Sequence, residues 1–248
     1  MPDSTYAIIY SILCVYLGGC VKGLTGFGFS LVAVATLVLV AQPSSVVPVV
    51  LLMNSVINLV LLYSVRREVD PGRILPLALA GVAGLPLGTY ILVVTNADTL
   101  RIVIGVVILL FAVALLLGLR REIKRERLGA GLVGAASGIL NGSVGIGGPP
   151  VVLFLSHLGL GKRSFRANLV GYFLCINLVA IPFYYAGGLL TGEVFKMFAL
   201  FIPALALGGL TGSKLVSRVS ERAFRYVTLA IVMVAAVMAI LTGLGRLL

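Results

Sequence analysis

Two glycine-rich segments carry most of the polar chemistry that this chain sets among apolar residues. The first is Lys22-Gly23-Leu24-Thr25-Gly26-Phe27-Gly28; the second is Asn141-Gly142-Ser143-Val144-Gly145-Ile146-Gly147-Gly148, followed by Pro149 and Pro150. Lys22 is the only charged residue well inside an apolar stretch, and a lysine at the centre of a bilayer costs roughly 2.5 to 3.5 kcal/mol. Such a cost points to a counter-charge for an anion, the alternative being a lysine that snorkels to an interface from the tip of a short half-helix. Thr25, Asn141 and Ser143 add neutral groups suited to oxyanion oxygens. Gly26, Gly28, Gly145, Gly147 and Gly148 allow close approach of the backbone to a ligand. Proline suits the first turn of a helix, so a half-helix is expected to start at Pro149 and Pro150 with its free N–H groups and positive dipole end facing the break. Gly28 or Ser30 is placed to play the same part in the first half.

Other chemistries find no residues to work with. No Asp or Glu lies in the middle of an apolar stretch, so no paired-carboxylate site, proton relay or cation site is visible, and an enzyme is not expected. Cys14, Cys20 and Cys175 lack CxxC spacing and a nearby histidine, which leaves no metal site or redox pair; they read as packing residues. No cofactor is expected. The formal charge of +11 comes from short basic clusters between apolar runs, which is topology signalling and not a nucleic-acid face.

The elements that must position these residues follow from the solvent. With 60% hydrophobic and 11% charged residues and a mean hydropathy of +1.17, the chain cannot coat itself for water, and the lipid bilayer is its partner. The long apolar runs lack the alternation of barrel strands, so an all-α polytopic fold is expected. Six stretches, 46–65, 74–94, 100–119, 169–185, 194–215 and 224–244, have the length that a hydrocarbon core of roughly 30 Å demands. The stretches 4–41 and 128–160 are too long for one straight helix, and each is expected to form two half-length helices around its glycines. The first run, lacking a basic leader, is taken as part of the mature fold.

Basic residues then assign sides. The clusters are Arg66, Arg67 and Arg73; Arg120, Arg121, Lys124, Arg125 and Arg127; Lys162, Arg163 and Arg166; and Lys214, Arg218, Arg222 and Arg225. With all four cytoplasmic, both glycine-broken stretches are hairpins and both termini lie outside. Arg101, Lys196 and Arg225, near span ends, read as snorkelling anchors.

The chain also repeats. Setting Lys22–Gly28 on Asn141–Gly147 aligns three glycines, and the same offset places Asn58 on Asn177. A small insertion later brings Gly84 and Gly88 onto Gly208 and Gly212. These two GxxxG patterns read as close helix packing, while Asn58 and Asn177 either bind ligand or bond neighbouring helices. Residues 1–123 thus form one repeat and 124–248 another, each a broken hairpin plus three spans. An odd number of crossings inverts the second, a signature of transporters that channels share.

The two glycine motifs, from Gly18-Gly19-Cys20-Val21 through Gly28 and from Gly138-Ile139-Leu140 through Pro150, together with Lys162-Arg163-Ser164-Phe165-Arg166-Ala167-Asn168, resemble those of the sulfite exporter TauE/SafE family, the YfcA-like group. The resemblance covers nearly the whole chain. It implies a multi-pass protein of the bacterial inner membrane, often an exporter, for sulfite, sulfonates or related sulfur-containing or carboxylate anions. It places the substrate on Lys22, Gly26, Gly28, Asn141, Gly145 and Gly147. An anion channel on the same half-helix ends is the alternative, and a homo-oligomer is compatible with either.

Overall fold

The computed structural model describes residues 5–117, 126–215 and 221–247. Among them it has ten α-helices and no strand: α1 Thr5–Thr25, α2 Phe29–Leu37, α3 Pro43–Val65, α4 Pro71–Val94, α5 Ala97–Leu116, α6 Glu126–Val144, α7 Gly148–His157, α8 Lys162–Ala186, α9 Gly192–Leu215 and α10 Glu221–Leu247. A single 3-10 turn, Arg66–Glu68, links α3 to α4. Seven helices, all but α2, α6 and α7, are long and apolar enough to cross a membrane. Their outer faces expose large apolar side chains such as Leu13, Leu59, Leu79, Leu110, Leu207 and Leu241. Water would penalise such a surface and lipid does not, so this is a multi-pass membrane protein.

The expected spans are present, with shifted ends. Two starts follow from proline, which fits a helix's first turn: α3 begins at Pro43 and α4 at Pro71, where Asp70 accepts from the Gly72 N–H at 3.1 Å. The helix α8 starts at Lys162 and not near 169, because the basic cluster forms its first turns instead of a loop. Of the other clusters, 120–125 and 218 lie outside the described residues, as do the side chains of Arg127, Lys162, Arg222 and Arg225.

The broken stretches are less even than two half-length helices. The first consists of α1, with 21 residues, and α2, with 9; the second pairs α6, with 19, with α7, with 10. Glycines alone do not break a helix here. Gly18, Gly19 and Gly23 stay inside α1, and Gly138 and Gly142 inside α6, because each lies where a neighbouring chain segment comes close. A Cβ on Gly19 would stand 2.8 Å from the Leu205 carbonyl oxygen, and one on Gly142 2.9 Å from that of Leu85. Accordingly α1 packs along α9 and α6 along α4; α5 packs on α10 and α3 on α8. Exchanging α1–α5 for α6–α10 maps this set of pairings onto itself.

Two basic and thiol assignments change. Arg101 is no snorkelling anchor: it is 5% exposed, its Nε donates to the Val38 carbonyl at 3.1 Å, and Asp98 lies 2.6 Å from its Nη1. The carbonyls ending α2 need a donor that lipid cannot supply, and Arg101 is that donor. Cys14 and Cys20 are buried as packing residues, but Cys175 is exposed on α8.

Asn168, fully buried, accepts the Asp70 N–H at 2.8 Å and so ties α8 to the start of α4. Asn168→Ala is expected to cost about 1 to 3 kcal/mol, because a partly buried donor loses its acceptor. Arg73→Ala, which breaks an exposed ion pair, is expected to change stability by less than about 1 kcal/mol. Unfolding midpoints of the two variants in detergent test the contrast.

Candidate functional site

Each break is shaped by glycine where the backbone turns left-handed. Gly26 (φ 83°) and Gly28 (φ 91°) end α1 and start α2, and Gly145 (φ 70°) ends α6, conformations that other residues enter only with strain. The Gly26 N–H closes α1 on the Lys22 carbonyl at 2.8 Å, and the Gly145 N–H closes α6 on that of Asn141 at 3.2 Å. Gly147 has an ordinary φ of −81°; there a Cβ is excluded by space, since it would stand 2.6 Å from the Ser137 carbonyl oxygen.

The two breaks share a cavity of about 20 Å³, room for a water or two. Its walls include Gly28, Phe29, Ser30 and Leu31 at the start of α2, and Gly147, Gly148 and Pro149 at the start of α7. Neither helix start has a side-chain cap, so the positive ends of two dipoles border one space; α2 brings the free N–H groups of its first turn, whereas α7 brings only that of Gly148, because Pro149 and Pro150 have none. Lys22 and Asn141 also line it, from the last turns of α1 and α6, and no lining residue is acidic.

Lys22 is enclosed by protein, with 1% of its surface exposed. Its Nζ lies 5.5 Å from the centroid of the Phe173 ring, which reaches the cavity from α8. That cation–π contact supplies part of what water would otherwise give a buried ammonium. Asn141, 4% exposed, donates to Asn177 Oδ1 at 3.1 Å, and Tyr184 donates to the carbonyls of Asn141 and Gly142, holding the end of α6.

Of the residues expected at the site, Lys22, Gly28, Asn141, Gly147 and Gly148 line the cavity. The remaining six stand around it. Thr25 spends its hydroxyl inside the first break, 2.8 Å from the Val21 carbonyl and 2.6 Å from that of Phe27. Ser143 turns back onto the Ile139 carbonyl at 2.7 Å. Gly26 faces Arg166, and Gly145 faces Val47. Asn58 and Asn177, both buried, sit one side chain behind the wall. Asn58 reaches Asn54 at 3.4 Å, which donates to Ser30 at 3.0 Å, and Asn177 reaches Asn141. Each keeps one polar atom without a partner, Oδ1 of Asn58 and Nδ2 of Asn177.

Sequence reasoning missed Asn54, Phe173 and Tyr184. Asn54 had a local signal, being one helical turn before Asn58 on the same face. The two aromatics have none, because an aromatic residue in an apolar span looks the same whether it faces lipid or a cavity.

The family model of the sulfite exporter TauE/SafE matches residues 11–239. No curated protein and no solved structure matches the chain. The match runs from α1 into α10 and takes in both breaks, so this multi-pass chain belongs to the sulfite exporter TauE/SafE family, membrane transporters of sulfur anions.

Proposed function

We propose that this transporter binds a small anion, such as sulfite, a sulfonate or a related sulfur-containing or carboxylate anion, between its two glycine breaks and exports it by alternating access. The observation that carries this reading is Lys22, 1% exposed on a cavity with no acidic lining and bordered by the starts of α2 and α7. The Lys22 amino group and two helix-dipole ends then converge on a space that water scarcely fills, and an anion satisfies all three. The remaining expected residues contribute by shaping the breaks and orienting Asn141.

Residues 1–123 and 124–248 act as two inverted repeats in this reading. The interchange of the pairings α1–α9 and α6–α4 supports it, as does the count of three long helices after each hairpin. The same reading puts these spans in a bacterial inner membrane with both termini outside the cytoplasm, and the exposure of Arg66, Arg67, Arg73 and Arg163 at one set of span ends supports it by the positive-inside rule. A cavity this small must widen to admit an oxyanion, and two equivalent hairpins opening in turn would expose it to each side.

Thermal unfolding of the purified protein against sulfite, thiosulfate, sulfonates and small carboxylates tests the anion. A bound ligand at about 100 times its Kd stabilises by about 2.7 kcal/mol, and no shift with any anion refutes the reading. Counterflow in proteoliposomes tests the mechanism: external anion accelerates exit of the internal anion from a transporter, whereas an anion channel shows no such exchange.

A further inference from the structure

Arg166 is a cation beside the first break that the cavity lining does not use. It lies on α8, and its side chain packs on Gly26, where a Cβ would stand 2.8 Å from Arg166 Cγ. Its Nε is buried without a hydrogen-bond partner, and its Nη2 reaches the Gly23 carbonyl only at a long 3.5 Å. A guanidinium carries five N–H donors in a rigid fork that fits two oxygens of an oxyanion, so this one is under-used. Lys22 lies one turn before Gly26 and directly before Gly23, so both cationic side chains lie at the last turn of α1. No acidic residue lines the cavity, and Asp70 at the start of α4 is paired with Arg73. Two adjacent cations in a weakly screening surrounding favour a ligand with more than one negative charge.

We propose that Arg166 is the second cationic arm of the anion site and makes it prefer doubly over singly charged oxyanions, its fork taking two oxygens while Lys22 supplies a point charge. The proposal rests on the anion-binding reading above. Its rival is structural: an arginine at the C-terminal end of α1 caps the last carbonyls and favours the helix dipole. A cap supports the fold whatever the ligand; a second arm discriminates by charge.

Sulfate and methanesulfonate share a tetrahedral sulfur and differ in charge, so their affinities for purified full-length protein separate the two. Wild type is expected to bind sulfate roughly ten-fold or more tighter than methanesulfonate. In Arg166→Gln the sulfate affinity should fall about ten-fold and that for methanesulfonate less than about three-fold, with Arg166→Lys between the two. Thermal unfolding without anion shows that each variant is folded. Equal losses for both anions, an unchanged ratio, or a wild type that binds the two alike overturns the role of Arg166 alone. A wild type that binds neither these nor any other anion removes the anion reading and this proposal together.

Discussion

Lys22→Met is expected to cut anion flux in proteoliposomes by about thirty-fold or more, while folded yield stays the same or rises. The side chain lies at the end of α1 with 1% of its surface exposed, over the ring of Phe173 and among lining residues without a carboxylate. Methionine fills a similar volume and removes the charge, so the fold loses a group that is costly to bury, roughly 2.5 to 3.5 kcal/mol on insertion scales. The anion, by contrast, loses its one fully enclosed counter-charge. Removing one partner of a desolvated charge pair costs about 2 to 5 kcal/mol, which is a factor of about 30 to several thousand. Lys22→Arg keeps the charge in a different shape and should retain part of the flux. Flux unchanged in Lys22→Met would show that the lysine only packs.

Gly88→Leu and Gly208→Leu are expected to prevent assembly of the fold, seen as loss of monodisperse protein in detergent. A Cβ on Gly88 would overlap the Ile139 carbonyl oxygen of α6, and one on Gly208 that of Tyr16 on α1. Overpacking ordinarily costs about 1 to 3 kcal/mol, with side chains sharing the adjustment. Here the obstacle is a helix backbone, so α4 must leave α6 or α9 must leave α1, and the glycine breaks at the ends of α1 and α6 shift with them. Gly131 provides the control. It is also a helical glycine of α6, but a Cβ there has nothing within 4 Å, so Gly131→Ala should unfold as wild type does or slightly later, alanine being the better helix former by about 1 kcal/mol. Equal behaviour of all three variants would mean that the glycine contacts do not hold the helices together.

The contrast between Gly131 and Gly88 marks where sequence reasoning runs out. Both are helical glycines in apolar surroundings, and only the neighbour decides which one tolerates a methyl. The GxxxG spacing announced close packing at Gly88 and Gly208 but did not name α6 and α1 as partners. Likewise nothing local separates Gly23, which stays helical, from Gly26 and Gly28, which turn left-handed. The helix continues through Gly23 because the backbone of α9, at Gly209 and Gly212, lies against it.

Run length and basic loops need no partner to be informative. A stretch of about twenty apolar residues must cross a bilayer because its own backbone bonds satisfy it there, and α3, α4, α5, α9 and α10 appear close to where hydropathy sets them. The motifs around Lys22 and Asn141 were legible for the same reason, since a charge or a break in lipid is conspicuous against its surroundings. Which polar groups meet is a long-range matter. Lys22, Asn54, Asn141 and Phe173 come from four helices of both halves and share a wall only after α1 has packed on α9 and α6 on α4. The sequence by itself thus determined the solvent, the spans and the two breaks, which depend on each segment's own energy in lipid. The tertiary structure alone decided that Arg101 caps α2, that Thr25 serves its own loop and that the two breaks border one cavity, because those outcomes depend on which backbone comes near.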